Sequence, residues 1–340
     1  MQRLMMCAVA LSALPWVALP RCADASPARA IETQQDYTPD TYAQAGQRVL
    51  LADGRRLNLR CSGDGTPAVI LEAGGNADSS TWFRVRPLLA KHTKVCAYDR
   101  AGFGFSDAGP LPRDLDATVA DLHALLQAAN IGSPVVLVGH SLGSNIVRRY
   151  AQAYPQRVAG LVLVDPPEQA ADARMPAAWQ AEVADGLIRR DALLTTCEQA
   201  AAANDKDTLQ QRCLRPPPPW MSAAVAEATR HNKSAPGYWL SLRSEMTSNT
   251  QVFSAPVPAD ENYGAIPLIL LRPTLQDQDA PDEVRAVLQA ARAETHARIL
   301  AASRRSSVLE VANTSHDIQL DQPAAVAAAA KKLLDPPPAE

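Results

Sequence analysis

The run Val135-Val136-Leu137-Val138-Gly139-His140-Ser141-Leu142-Gly143 sets a serine between two glycines at the end of a branched apolar segment. Four consecutive aliphatic residues, three of them valine, fit a strand covered on both faces in a parallel sheet. From Ser144 to Ala151 the apolar side chains then fall at helical spacing, so the chain passes from strand to helix within a few residues. Ser141 stands on that corner. So sharp a bend crowds the residues beside the serine, and glycine removes the clash because it lacks a Cβ. The bend lifts the Ser141 hydroxyl clear of the sheet. It also aims the N–H of Leu142, at the helix start, where negative charge develops on a substrate oxygen. The geometry suits a nucleophile; a tight turn with no chemistry is the competing reading.

Outward from this corner, short β-rich segments alternate with helical ones, the pattern of a mainly parallel sheet with helices on both faces. Gln47–Leu51 and Arg56–Cys61 flank the hairpin signal Asp53-Gly54. Ala68–Glu72 and Lys94–Tyr98 read as the third and fourth strands, with a helix over about 82–91 between them. A helix from about Asp114 to Ala129 leads to the strand before Ser141. Val158–Val164, Ile266–Leu271 and Ser307–Val311 complete eight strands, and Pro323–Leu334 is a closing helix. Between the sixth and seventh strands, residues 168–262 hold Ala-rich helical pieces, the run Pro216–Pro219 and the aromatics Trp220, Tyr238 and Trp239. A connection of that length is an insertion, most simply a helical lid. The core therefore falls into two parts, 47–167 and 263–334, with an extension at 26–46 and a frayed tail at 335–340.

The first residues read as an export signal. Arg3 precedes the apolar stretch Leu4–Leu19, too short to span a bilayer comfortably, and Ala23-Asp24-Ala25 and Ala28-Arg29-Ala30 both fit the cleavage pattern. The leader is thus 1–25, with cleavage as late as 30. Arg21 sits before Cys22 where a lipidation signal wants a small residue. Cleavage after Ala25 removes two arginines and one aspartate and takes the formal charge from −3 to −4, which does not favour nucleic acid. No later apolar run is long enough for a membrane anchor, so an exported, periplasmic or secreted, protein is expected. Cys7 and Cys22 leave with the leader. Cys61, Cys96, Cys197 and Cys213 remain, an even number that suggests disulfides in an exported chain, with three possible connectivities. Cys197 with Cys213 would close a local loop. His92, His123, His231 and His296 are scattered without ligand spacing, so neither a metal nor another cofactor is expected.

Four features resemble the α/β-hydrolase superfamily over about 47–334. They are Leu71-Glu72-Ala73-Gly74-Gly75-Asn76 followed by Trp82, the run Tyr98–Asp107, the segment Gly139–Gly143, and Ser315-His316-Asp317. The resemblance implies an eight-stranded α/β-hydrolase fold with the second strand beside the fourth, which makes Cys61 and Cys96 plausible partners. It implies Ser141 as nucleophile and His316, in the polar loop after the last strand, as its base. The N–H groups of Gly75 and Leu142 would bind the oxyanion, and a backbone donor needs no particular side chain. The acid is less regular. Most relatives carry it after strand seven, where Asp277 and Asp279 come rather late, whereas Asp165 follows strand six directly and matches the spacing of some relatives. Asp165 is preferred, with Asp277 or Asp279 as the alternative. Asp99 and Arg100 read as loop-holding residues, Phe103 and Phe105 as pocket lining, and His140 as structural.

The expected function is a serine hydrolase that cleaves a carboxylic ester or related acyl bond of a small molecule through an acyl-serine. Carbon–carbon or amide hydrolysis, perhydrolysis, or mere ligand binding on the same fold are the alternatives. Dehalogenase and epoxide hydrolase chemistry is disfavoured, since both need a carboxylate at position 141.

Overall fold

In the computed structural model, residues 37–132 and 134–334 are described. The leader, its cleavage site, residues 26–36 of the extension and the tail 335–340 lie outside the described residues.

Eight strands form one sheet: β1 (Gln47–Leu50), β2 (Arg56–Ser62), β3 (Val69–Glu72), β4 (Val95–Tyr98), β5 (Val135–His140), β6 (Val158–Val164), β7 (Leu268–Pro273) and β8 (Ser306–Val311). Their spatial order is β1-β2-β4-β3-β5-β6-β7-β8. β1 pairs antiparallel with β2 and β2 with β4; every other pairing is parallel. The helices are α1 (Leu115–Ala128), α2 (Leu142–Ala153), α3 (Ala177–Ala202), α4 (Ala223–Lys233), α5 (Pro236–Ser254), α6 (Asp282–Ala301) and α7 (Pro323–Lys331), with shorter turns between. The helix expected over 82–91 is reduced to a turn at Ser79–Trp82 and one helical turn at Arg86–Leu89. Trp82, Val85 and Leu89 still cover the sheet there, so the apolar spacing reported burial rather than a continuous helix.

The valine-rich strands explain the layering. Successive side chains alternate across a sheet, and the central strands are apolar along most of their length, with Glu72 and His140 at the ends of β3 and β5 that face the bend. Ile70, Leu137, Leu161, Leu163, Leu268 and Leu270 pack on one side with Leu122 and Leu125 of α1 and Ile146 and Tyr150 of α2. Val69, Leu71, Val136, Val138, Val162, Val164 and Leu271 face the other side, against Trp82, Leu89 and Val326 and Ala330 of α7. At the edge, β8 leaves Val308 and Leu309 exposed. α3, α4 and α5 lie in the connection from β6 to β7, and α3 and α5 carry an apolar cluster of their own: Leu194, Cys197, Ala201, Tyr238, Trp239, Leu242 and Met246, joined by Phe103.

Cys61 and Cys96 face one another across β2 and β4 and are disulfide-bonded, as are Cys197 and Cys213 within the inserted helices. The second bridge closes a loop of sequence separation 16. Closing a loop of that size restricts the unfolded chain, so replacing both Cys197 and Cys213 by alanine is expected to lower the unfolding free energy by up to about 3 kcal/mol. Urea denaturation of the double variant measures it; an unchanged midpoint would show that the bridge contributes nothing. No helix among the described residues is long and apolar enough to cross a membrane.

Candidate active site

The bend between β5 and α2 is built as its glycines require. A Cβ on Gly139 would lie 2.3 Å from the Gly143 carbonyl oxygen, and one on Gly143 would lie 2.5 Å from that of Glu72. Neither position admits a side chain. Ser141 has φ 52° and ψ −123°, a backbone conformation that costs an L-residue on the order of 1–3 kcal/mol. Three hydrogen bonds hold it there: the Ser141 N–H donates to the Val164 carbonyl (3.0 Å), and the N–H (2.8 Å) and hydroxyl (2.6 Å) of Ser144 both donate to the Ser141 carbonyl. Leu142 opens α2, so its N–H belongs to the first turn, whose donors have no acceptor inside the helix.

The loop after β3 lies directly over this bend. The missing Cβ of Gly74 would sit 3.4 Å from the Cβ of Ser141, and that of Gly75 3.6 Å from Leu142 Cδ2. Arg100 fixes the loop from beneath. Its guanidinium donates to the carbonyls of Ala73 and Gly74 (2.8 Å each) and pairs with two buried carboxylates, Glu72 (2.9 Å) and Glu245 of α5 (2.8 Å). Glu245 also accepts the N–H of Asn76 (3.2 Å). Burial pushes the Glu72 carboxyl up, against the pull of Arg100. Asp99 ties a neighbouring set of loops, accepting from Asn58 Nδ2 (2.7 Å) and from the N–H groups of Ser79 (2.9 Å) and Phe105 (3.0 Å). Both residues hold loops, as the sequence suggested.

Because Ser141 is bonded to Val164, the next residue, Asp165, starts beside the bend. Asp165 is buried, has φ 44°, and its N–H donates to the Leu271 carbonyl (2.9 Å). Its Oδ2 lies 2.5 Å from His316 Nδ1 and also accepts from the Gln276 amide. The loop carrying His316 is tied down by Thr314, whose hydroxyl donates to the Val311 carbonyl (2.7 Å), and by Asp321, which accepts from the N–H and the hydroxyl of Ser315 (2.7 Å each). Burial lowers the affinity of His316 for a proton, but the Asp165 hydrogen bond and charge outweigh it, with Asp317 and Glu168 adding, and the imidazole is raised above its ordinary value.

The two alternative acids are elsewhere. Asp277 Oδ2 is held by Arg292 (2.8 Å), which also pairs with Glu168 (2.8 Å), and Asp279 is exposed. The segment after β7 contributes Gln276 instead, whose amide steadies the carboxylate arriving from β6.

His140, expected to be structural, packs its ring against that of His316, centroids 4.6 Å apart. Its Nε2–H donates to the His316 carbonyl (3.0 Å), and Nδ1 faces the Gln319 amide at 3.4 Å. A carbonyl only accepts, so this contact fixes the tautomer with hydrogen on Nε2. Burial, and then the neighbouring His316, lower His140 to about 3, so it stays neutral. Gln276, Glu245 and the partner of His140 are not legible in the sequence because each contact joins residues more than a hundred positions apart; only the adjacency of His140 to Ser141 was a signal. Among the described residues no cluster of histidine, cysteine and carboxylate side chains could hold a metal ion.

This strand order, with a strained serine on the β5–α2 bend, is the architecture of the α/β hydrolases. The chain belongs to that family: the model for the alpha/beta hydrolase fold matches residues 67–247. It is 34% identical over 120 residues to 2-hydroxy-6-oxo-2,4-heptadienoate hydrolase of Pseudomonas putida, covering 34% of this chain and 43% of that protein. Over 139 residues it is 32% identical to (lyso)-N-acylphosphatidylethanolamine lipase of Mus musculus, covering 38% and 40%. The match spans between 18% and 43% of the length of such curated relatives. Among solved structures it resembles CarC, a serine hydrolase involved in carbazole degradation, with TM-score 0.59 and 17% identity over 86% of this chain and 99% of that one. The thermophilic esterase from Thermogutta terrifontis gives TM-score 0.52 and 18% identity over 86% and 100%. Likeness at this identity speaks for the fold.

Proposed function

We propose that the protein is a serine hydrolase acting on a carboxylic ester or related acyl bond. The observation that carries the reading is the contact between His316 Nδ1 and Asp165 Oδ2, assembled beside the Ser141 bend. His316 removes the proton of Ser141, the hydroxyl attacks the carbonyl, and the N–H groups of Gly75 and Leu142 receive the oxyanion. The tetrahedral intermediate collapses with loss of the alcohol, which takes the proton from His316, and the acyl-serine that results is hydrolysed by water activated by the same imidazole, releasing the acid and restoring Ser141. Asp165 holds the tautomer and stabilises the imidazolium, and His140 and Gln276 position the pair. The inserted helices serve as the lid over the site. Similarity to a hydrolase named for a dienoate substrate supports one second reading, carbon–carbon bond hydrolysis with the same three residues.

The test is labelling of purified protein by a fluorophosphonate, read beside p-nitrophenyl ester turnover. Wild type is expected to label at Ser141. Asp165→Asn is expected to slow turnover by about 10³- to 10⁴-fold, because an amide cannot hold the tautomer, whereas Asp277→Asn retains it. Since the neutral imidazole is the base and its proton affinity is raised, activity falls as pH drops through a value above 6.5. Removing the Asp165 charge leaves burial dominant and moves that acid limb to lower pH. A limb that does not move, or unimpaired Asp165→Asn turnover, sinks the assignment.

A further inference from the structure

Directly after Gly75 the chain runs along the wall of a narrow cavity open to solvent. Asn76, Ala77 and Asp78 form one side, Phe103 and Gly104 another, and Thr229, Asn232, Lys233 and Tyr238 close it from the inserted helices. Thr229, Asn232 and Lys233 are spaced three and four apart on α4 and so share one face. Lys233 is half-buried, and no described side chain forms an ion pair within 4 Å or a hydrogen bond with its ammonium; Nζ lies 5.4 Å from the centre of the Tyr238 ring. Tyr238 in turn donates its hydroxyl to Asn76 Oδ1. The cavity therefore adjoins the proposed oxyanion loop and is lined by a cation that no side-chain hydrogen bond or close ion pair engages; Asp78, which lines the same cavity, reaches Lys233 through its charge alone.

On the reading of the protein as a serine hydrolase, we infer that this cavity is a subsite for a carboxylate carried by the substrate, with Lys233 supplying the charge. Lys233 presents an ammonium to the space, with Asn232 beside it on the same wall. Arg215, exposed and close enough for its charge to act on both Lys233 and Tyr238, adds a second positive charge nearby. Asp78 opposes them with one negative charge that acts on Lys233 more strongly than Arg215 does; its carboxylate also accepts the Ser80 N–H (2.8 Å) and its charge is felt by Arg60, so it is shared among several partners. Burial lowers the proton affinity of Lys233, the mark of a cation short of solvation, which a bound carboxylate would restore.

The charge could sit on the acyl or the alcohol side of the substrate, and two ligand pairs separate these. Binding to Ser141→Ala protein is measured by titration calorimetry with monomethyl against dimethyl succinate, and with 4-acetoxybenzoate against its methyl ester. The charged member of at least one pair is expected to bind on the order of tenfold or more tightly than its neutral partner. Adding Lys233→Met should bring that ratio to near one, and Lys233→Arg should retain most of it, with circular dichroism establishing that each variant is folded. Ratios near one in both pairs, or a preference that survives Lys233→Met, overturn the inference. Binding needs no turnover, so a wild-type protein that fails to label with fluorophosphonate while keeping the charge ratio refutes the hydrolase reading and leaves the carboxylate site standing.

Discussion

Ser141→Ala is expected to lower kcat/KM on p-nitrophenyl esters by about 10³-fold or more and to leave the thermal unfolding midpoint nearly unchanged. The rate effect follows from the loss of the attacking oxygen, for which no neighbouring side chain substitutes; what remains is whatever the N–H donors and binding provide. The stability effect is small because the side chain is only partly buried and the bonds that hold the bend are made by the Ser141 backbone. Esterase kinetics and a melting curve on one preparation measure both. Turnover within tenfold of wild type would remove Ser141 from the chemistry.

Arg100→Met is expected to be the most destabilising single change, at about 3–5 kcal/mol, because it leaves buried carboxylates without their counter-charge. The Arg100, Glu72 and Glu245 side chains are 2%, 1% and 3% exposed, so water screens none of them. The same change frees the carbonyls of Ala73 and Gly74 from the groups that orient them. Denaturant unfolding gives the first effect. The second appears as a fall in kcat larger than any rise in KM, measured well below the unfolding temperature. A loss under 1 kcal/mol would show that the two glutamates are protonated or solvated in the folded protein.

The sheet was legible because its signals are local. Unbroken aliphatic runs mark strands buried on both faces, and each of the eight lies within a few residues of its expected place. Ser141 was legible for the same reason, since the glycines that make its bend possible are its neighbours in the chain. His316 and Asp165 were reached through family resemblance rather than spacing, and it is tertiary packing that brings them within 2.5 Å. Arg100 was read as a loop holder, yet its second carboxylate is 145 positions away and no periodicity announces such a partner. The turn at Ser79–Trp82 went unrecognised because a short 3-10 segment and a helix bury apolar residues at similar intervals.

The hold of Glu245 on both Arg100 and the Asn76 N–H makes the segment between β6 and β7 something other than an exchangeable module. Chimeras that graft this region from a relative will import new specificity only if the donor keeps an acid at the matching helical position. Without it, the recipient scaffold inherits an orphaned guanidinium under the loop after β3, and the swap fails before any substrate is offered.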